Sequence, residues 1–396
     1  MLRSRPFAAR ARRVAVCATV PVLLAGAVTA WVVARPLGPH RLTRLAQSSP
    51  TAGALSNKPA TTAGSAFRMA VTRHYGLPGN ASGYSVIVVT GSNQAWAFGG
   101  TNPGGRSAPV ATWWNGSTTA TATLPADLTS FISDASATSS TDVWAASQYG
   151  RYLLHFDGVR WRVARRWQQG QVTGVTAVTP SDVWVFGTSA DGTSDIGTWH
   201  YDGTSWQRVP GLAGSIVRAS AMTASDIWAI AASPASYSVA HFDGTSWEQV
   251  PTGSALDSVL VRDILAISGN DVWVIGDKAD AGGGVRLVLL HWNGAGWTSL
   301  VSPINAWAGR LAPGPGRTVL VTATPASATA SGLIAQASAA GGRLVVSPRS
   351  WLSTGGISDV ALAGRARLLW VTGAVLTGIG GDAVIWSDQL PSLRTG

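Results

Sequence analysis

The chain is nearly devoid of three residue types. Among 396 residues, Cys17 is the sole cysteine, Glu248 the sole glutamate, and Lys58 and Lys278 the only lysines. Without a second thiol no disulfide can form. Because Cys17 sits in an apolar run near the N-terminus, the rest of the chain has no thiolate nucleophile and no Cys-based metal site. A lipoprotein cysteine follows a small residue at the end of such a run, whereas Cys17 follows Val16, so it reads as a small apolar residue in a helix. Stability must then come from packing alone, which a domain of this length can supply.

Charge is also scarce, at 12% of residues, and the net +10 is unevenly placed. Residues 1–66 hold eight Arg and Lys58 with no acid, which is +9. Residues 67–396 are close to neutral at +1. A nearly neutral body has no electrostatic footprint for phosphate backbones, so nucleic acid is excluded as a partner. The 27 Arg against two Lys, with abundant Ala and Gly, suggest a GC-rich bacterial genome.

Residues 1–13 form a basic n-region, MLRSRPFAARARR, and residues 14–34, VAVCATVPVLLAGAVTAWVVA, run uncharged for the length of a membrane-spanning helix. The positive-inside rule places the first 13 residues in the cytoplasm and the chain beyond the span outside it. An uncleaved signal-anchor in the cytoplasmic membrane is favoured. Secretion after cleavage near Val28-Thr29-Ala30 is the alternative, though the apolar run continues past it through Trp31, Val32 and Val33. Residues 35–66 are rich in Ser, Thr, Ala, Pro and Gly, cannot bury a core, and read as a flexible linker.

From residue 67 the chain repeats. SDVWVFGTSADGTSDIGTWHYDGTSWQRVP (181–210) aligns with TDVWAASQYGRYLLHFDGVRWRVAR (141–165), SDIWAIAASPASYSVAHFDGTSWEQVP (225–251) and NDVWVIGDKADAGGGVRLVLLHWNGAGWTSLV (270–301). Looser copies carry Trp96, Leu320 and Trp370. The anchors Trp96, Trp144, Trp184, Trp228, Trp273, Leu320 and Trp370 are separated by 48, 40, 44, 45, 47 and 50 residues. Short apolar runs at this period, divided by Asp-Gly turns, predict an all-β, seven-bladed β-propeller of four-stranded antiparallel blades over residues 67–396. In the third copy the strands are expected at Val175–Val178, Val183–Phe186, Thr198–Tyr201 and Ser205–Val209. The last copy is one strand short, and 67–75 is expected to supply its closing strand, which removes exposed sheet edges.

The paired motif S-D-V-W … H-x-D-G-x-x-W resembles repeats of bacterial extracytoplasmic β-propellers, in the company of sialidase-like, tectonin-like and kelch/galactose-oxidase-like propellers. It lacks the kelch Gly-Gly doublet, and D-G-T-S-W is one residue shorter than the sialidase Asp-box. The resemblance implies fold rather than activity. A sialidase-type site needs arginines around a Tyr–Glu pair, which the lone edge residue Glu248 does not supply. A galactose-oxidase-type copper site needs a Cys–Tyr crosslink that this domain cannot make.

Most tempting residues occupy repeat positions. His155, His200, His241 and His291 fall at one position in four copies, related by rotation about a ring axis, so they cannot converge on one metal. Asp142, Asp182, Asp226 and Asp271 precede the Trp strand and are expected to accept turn N–H groups. Asp157, Asp202 and Asp243, with Asn115 and Asn293, are the tight-turn residues. The anchor Trp residues, with Trp161, Trp206, Trp247 and Trp297 on the outer strands, are expected to fill the wedges between blades.

What departs from the repeat marks the candidate binding face. Loops joining second to third strands and loops joining blades emerge on one side, and they carry Trp167, Tyr237, Trp307, Trp351, Asp191, Asp195, Asp277, Asp280 and Arg286. Aromatics with nearby carboxylates on a rigid scaffold suit a glycan or protein ligand. The leading expectation is a non-catalytic extracytoplasmic binding or scaffolding propeller at the cell envelope, without cofactor. The alternative is a carbohydrate-active hydrolase or lyase using Asp residues of that face. The four aspartates offer oxygen ligands for Ca²⁺, though D-G-T-S-D and D-K-A-D lack regular calcium-loop spacing.

Overall fold

A computed structural model of the chain describes residues 73–75 and 82–389, apart from 148–149, 189–195, 211, 213–214, 234–235, 327–331, 341–342, 353–355, 364–367 and 378–379. The n-region, span and linker expected over 1–66 lie outside the described residues. Among the described residues no helix is long and apolar enough to cross a membrane.

Burial follows the position of each strand in its sheet. In the third repeat, Gln171–Thr179 is the first strand and Asp182–Thr188 the second, the latter buried from Val183 to Gly187. Thr198–Tyr201 comes next, and Trp206–Val209 at the edge is half-buried or exposed. A strand sandwiched by neighbouring sheets on both faces needs a continuous apolar run such as V-W-V-F, whereas an edge strand needs none. The tight turn between the last two strands is held by Asp202, whose Oδ1 accepts N–H bonds from Thr204 (2.8 Å) and Ser205 (2.7 Å). Gly203 has φ +90°, and a Cβ there would stand 2.6 Å from Cβ of Ser181, so glycine is required twice over.

The strands assemble into repeated antiparallel sheets in sequence order. The first four-stranded sheet runs Ser82–Gly91, Gln94–Thr101, Ala108–Trp114 and Thr119–Thr121. The second runs Ile132–Ser139, Asp142–Ser147, Tyr152–Phe156 and Trp161–Arg166. After the third, already given, the fourth runs Ser215–Thr223, Asp226–Ala232, Tyr237–Phe242 and Trp247–Val250. A seven-stranded sheet comes next: Leu260–Ser268, Asp271–Ala279, Val285–Trp292, Trp297–Pro313, Thr318–Pro325, Gly332–Ala340 and Arg343–Leu352. Its long strand Trp297–Pro313 pairs by its first part with Val285–Trp292 and by its last part with Thr318–Pro325. The final sheet holds Gly356–Ala363, Leu368–Thr377 and Gly380–Gln389, and Arg73–Tyr75 adds to its edge with Arg73 opposite Ile385 and Tyr75 opposite Ala383.

The first and last sheets close on one another. Ser82 Oγ donates to the carbonyl of Gly381 (2.8 Å) and accepts from Ala383 N–H (3.0 Å). Tyr84, Ile87 and Trp114 share one apolar cluster with Ala363, Trp370 and Ile385.

The anchor tryptophans Trp96, Trp144, Trp184, Trp228, Trp273 and Trp370 are all buried, and each sits in a cluster shared between two neighbouring repeats. Trp161 packs on Trp96 edge to face at 5.3 Å, while Trp206, Trp247 and Trp297 stand partly buried beside the clusters of Trp144, Trp184 and Trp228. Within the seven-stranded sheet, Trp273, Ile275, Leu287 and Leu289 pack against Val319, Val321, Leu333 and Ala335, so its two halves meet face to face.

Each first strand carries a β-bulge near its start. Ser85, Ser133, Thr173, Val217, Arg262 and Ser358 stand unpaired between register partners, and in Trp297–Pro313 the interruption widens to Gly309 and Arg310. A bulge re-aims the side chains beyond it. Here it sets what the sheets present to each other at their first strands.

Candidate functional site

Antiparallel order puts the first-to-second and third-to-fourth turns at one end of the sheets and the remaining connections at the other. The first end carries the repeated polar residues. His200 Nε2 lies 2.8 Å from Asp182 Oδ1, which also accepts from Trp184 Nε1 (2.9 Å), and the imidazole stacks on the Trp184 ring at 4.3 Å. The same three-residue unit recurs with His241, Asp226 and Trp228 (2.9 and 3.1 Å) and with His291, Asp271 and Trp273 (3.0 and 2.7 Å). In the second sheet His155 bonds Asp142 (2.7 Å) and stacks on Trp144 at 4.0 Å, with Thr138 as the further donor to Asp142. Burial works against the Asp142 carboxylate, but the His155 and Thr138 bonds outweigh it and hold its pKa below the usual range. Contrary to expectation, these aspartates accept from side chains rather than turn N–H groups: Asp182, Asp226 and Asp271 join Trp and His, and Asp142 joins His155 and Thr138. The adjoining turn in the third repeat is held by a hydroxyl, with Ser181 N–H donating to Thr179 Oγ1 (3.3 Å).

At the opposite end, three of the candidate binding residues converge. Trp307 and Asp280 line an open depression of about 350 Å³ with Ala279, Gly283, Gly284, Val285 and Ala326, and Arg286 is bonded to Asp280. Trp307 is 48% exposed. Arg286 Nε and Nη2 each meet Asp280 Oδ2 at 2.7 Å, and Arg286 Nη1 donates to the carbonyl of Pro303 (2.6 Å). Asp280 also accepts from Gly282 N–H (3.0 Å). The Gly282 bond and the Arg286 partner keep the Asp280 carboxyl below the ordinary carboxylate range. Asn305 Oδ1 takes Val285 N–H (3.0 Å), pinning the rim to the long strand.

Asp277 and Tyr237 lie deeper. Asp277 is buried, accepts Nε and Nη2 of Arg262 (2.8 and 3.3 Å), and takes Ala308 N–H at 3.3 Å. Burial pushes the Tyr237 phenol up, against the pull of Arg262. Asp277 and Asp280 therefore each hold a guanidinium. Among the described residues no three His, Cys, Asp or Glu side chains converge as a metal site. Asp191 and Asp195 lie outside the described residues, as does the side chain of Trp351.

Asp277, expected on the binding face, is instead buried in its pair with Arg262, and two further expectations are corrected. Trp167 is not an exposed loop aromatic: it is 8% exposed and packs with Val172 and Ile196 between the second and third sheets. Trp307 lies on a continuous strand rather than a connecting loop, because Trp297–Pro313 pairs by its first part with Val285–Trp292 and by its last part with Thr318–Pro325, despite Pro303 within it.

A second polar cluster, absent from the repeat pattern, lies along the first strands. Arg310 Nη2 donates to the carbonyl of Ser133 (2.8 Å), 177 positions away in sequence, and Nη1 stands 3.8 Å from Oδ1 of both Asp134 and Asp263. Asp359 is the third carboxylate that attracts it. Each aspartate caps a backbone N–H of the next repeat: Asp134 takes Val175 (2.9 Å), Asp263 takes Leu311 (2.8 Å) and Asp359 takes Ile87 (2.9 Å). The signal that marks them is I-S-D (132–134), V-R-D (261–263) and I-S-D (357–359), an acid just past the bulge in otherwise apolar strands.

Burial pushes the Asp359 carboxyl up to about 7 and raises that of Asp263 as well, both against the pull of Arg310. Between about pH 4 and 7 the folded state then keeps a proton on Asp359 that the unfolded state has lost. Stability from this group is present below the unfolded pKa and falls as pH rises through 7. Asp359→Asn holds the neutral form at every pH, so urea midpoints at pH 5, 6, 7 and 8 should converge toward or overtake the parent, by at most about 1.4 kcal/mol per pH unit. Parallel profiles would show that Asp359 stays ionised throughout.

Repeated four-stranded antiparallel sheets, joined in order and closed first to last, define a β-propeller. Solved structures agree. YCF48 bound to a D1 peptide matches with TM-score 0.56 and 13% identity, over 81% of this chain and 98% of that one. A catalytically inactive histidine-to-alanine variant of virginiamycin B lyase from Staphylococcus aureus, with quinupristin, matches at 0.54 and 12%, over 80% and 99%. YCF48 from Cyanidioschyzon merolae matches at 0.52 and 14%, over 80% and 98%. No protein-family model matches the chain, and no curated protein matches it. At such identities the likeness establishes the fold alone.

Proposed function

We propose that the protein is a polypeptide-binding, non-catalytic propeller of seven blades, held outside the cytoplasmic membrane by a signal-anchor at 14–34. The seven-stranded sheet counts as two blades that share Trp297–Pro313, and the wedge cluster around Trp273 between its halves supports that division. The observation that carries the binding reading is Trp307. It stands exposed over a largely apolar depression in which Asp280 is the one charged lining side chain among the described residues, and that carboxylate is already bonded to Arg286. A glycan pocket needs several convergent polar groups free to fix hydroxyls. An apolar side chain of an extended peptide needs an indole face and an alanine-valine wall. One structural neighbour is bound to a peptide. The other kind is a lyase made inactive by loss of one histidine, whereas each of the four repeat histidines here is committed to an aspartate in its own blade.

A photo-crosslinking amino acid at position 307 of the full-length protein in intact cells should give a discrete protein adduct. The same residue at position 159, 86% exposed on a turn at the opposite end, should give none. Equal adducts at both positions, or none at 307, would overturn the binding face. Protease added to spheroplasts should remove the propeller if the anchor is oriented as proposed.

A further inference from the structure

At the rim between the second and third sheets, a cation sits in an aromatic corner. The guanidinium carbon of Arg165 lies 4.0 Å from the ring centroid of Trp199, 5.3 Å from Trp167 and 5.8 Å from Trp206. The corner is rigid. Trp167 and Trp199 meet at 67° with centroids 6.4 Å apart. Trp199 Nε1 donates to the carbonyl of Ile196 (2.7 Å), and Trp167 is buried and bonded through its backbone N–H to the carbonyl of Arg151 (2.8 Å).

The occupant fits the faces of this corner but not its polarity. Indole faces attract a cation through the ring quadrupole and offer nothing to an N–H donor in their plane. Nε of Arg165 is buried without an acceptor. Burial depresses the Arg165 pKa, and no carboxylate among the described residues opposes that shift. A buried donor left without a partner opposes the arrangement that holds it there. A quaternary ammonium has the charge and no N–H, so it satisfies the same three faces without that conflict. The side chain of Arg165 is only half-buried, which leaves it a path to solvent, and Arg166 beside it is exposed. Once displaced, Arg165 would meet an anion carried on the same ligand.

We propose that the Trp167–Trp199–Trp206 corner is a receptor for a quaternary ammonium group that bears its own anion, a phosphocholine-type zwitterion, with Arg165 holding the seat in the free protein. This site is separate from the depression at Trp307 and stands or falls independently of it. Arg165 acts as the built-in competitor: it leaves the corner when the ammonium enters and pairs with the phosphate.

Calorimetric titration of the full-length protein with phosphocholine and with tetramethylammonium chloride tests this, with saturation-transfer NMR on the N-methyl protons reporting contact with the indoles. The parent protein should bind phosphocholine at least tenfold more tightly than tetramethylammonium. Arg165→Ala removes the competitor and the anion's partner together, so tetramethylammonium should gain at least tenfold and the preference should shrink. Trp206→Leu also removes packing on Trp144 and Tyr201 and so lowers the melting temperature, but at a temperature where the variant is fully folded it should still weaken both ligands. Phosphatidylcholine vesicles against free phosphocholine at equal headgroup concentration separate a lipid source from a soluble one, and binding of either supports the site. Absence of an N-methyl signal with both the parent and Arg165→Ala overturns it. So does a tetramethylammonium affinity unchanged by Arg165→Ala.

Discussion

Arg310→Met is expected to destabilise the propeller by about 3–5 kcal/mol at pH 7.5, the usual loss when one partner of a buried ionic cluster is removed. The guanidinium is the shared counter-charge of Asp134, Asp263 and Asp359. It also reaches across the first strands to the carbonyl of Ser133. Methionine keeps the unbranched stem but stops short of the guanidinium, so the pH dependence of the loss, and not its size alone, separates charge from volume. The three carboxylates cannot retreat to solvent, because each is tied to a backbone N–H of the next repeat. Their one relief is protonation. The deficit of Arg310→Met should therefore shrink at pH 5 and grow toward pH 8, since the Asp263 and Asp359 carboxyls, already raised by burial, lose the opposing pull of the guanidinium. Arg310→Lys keeps the charge but not the reach of a forked donor, and should fall between the two. Guanidinium chloride midpoints at pH 5, 6.5 and 8 measure this. A loss under about 1 kcal/mol at every pH, against that 3–5 kcal/mol expectation for breaking a buried pair, would mean that the cluster is solvated and dispensable.

That cluster also shows where sequence reading stops. The propeller architecture was legible because each copy repeats its own local physics. Val-Trp-Val-Phe demands a strand covered on both faces, Asp-Gly-Thr-Ser demands a tight turn, and both return at 40 to 50 residues. For the third copy the inner strands are longer than their apolar runs suggested, Gln171–Thr179 instead of Val175–Val178, because β pairing extends over polar residues once a partner strand is present. The direction in which Asp134, Asp263 and Asp359 point was not legible. Strand alternation assigns sides by parity, and the bulge at Ser133, Arg262 or Ser358 breaks parity just before each acid.

The candidate binding face was half legible. Departure from the repeat singled out Trp307 and Asp280, which line one depression, Arg286, which bonds Asp280, and also Trp167, which is buried. Both tryptophans come after an outer strand has begun and neither occupies a repeat position. What separates them is the neighbouring sheet: Ile196 and Val172 cover Trp167, whereas Gly283 and Gly284 leave Trp307 uncovered. That information lies in the partner strand, not in the flanking residues.

The same contrast sets the remaining large effect. Trp228→Ala should lower stability by about 3–5 kcal/mol, the range for emptying a large aromatic site in a packed core. Trp307→Ala, on a surface away from any cap or core contact, should stay within about 0.5 kcal/mol. Trp228 is 3% exposed in the wedge between the fourth repeat and the next, against Val261, Ile264, Val272, Val274 and Leu290. Trp292 and Trp297 meet its ring at 6.0 and 6.3 Å from the adjoining sheet. Truncation also removes the indole donor from Asp226 and the surface on which His241 stacks, at 3.1 Å and 4.6 Å. His241 still bonds Asp226 at 2.9 Å, so the carboxylate keeps one partner and the cavity supplies most of the loss. Trp228→Phe refills part of the volume without the N–H, and should recover more than half of the deficit if packing dominates. Should Phe recover nothing, the Asp226–Trp228 bond would be the main stabiliser, and the wedge would be looser than its buried contacts imply. Because the wedges are the main apolar joints between successive sheets, loss at one joint should also broaden the denaturant transition as the fourth and fifth repeats separate before the rest.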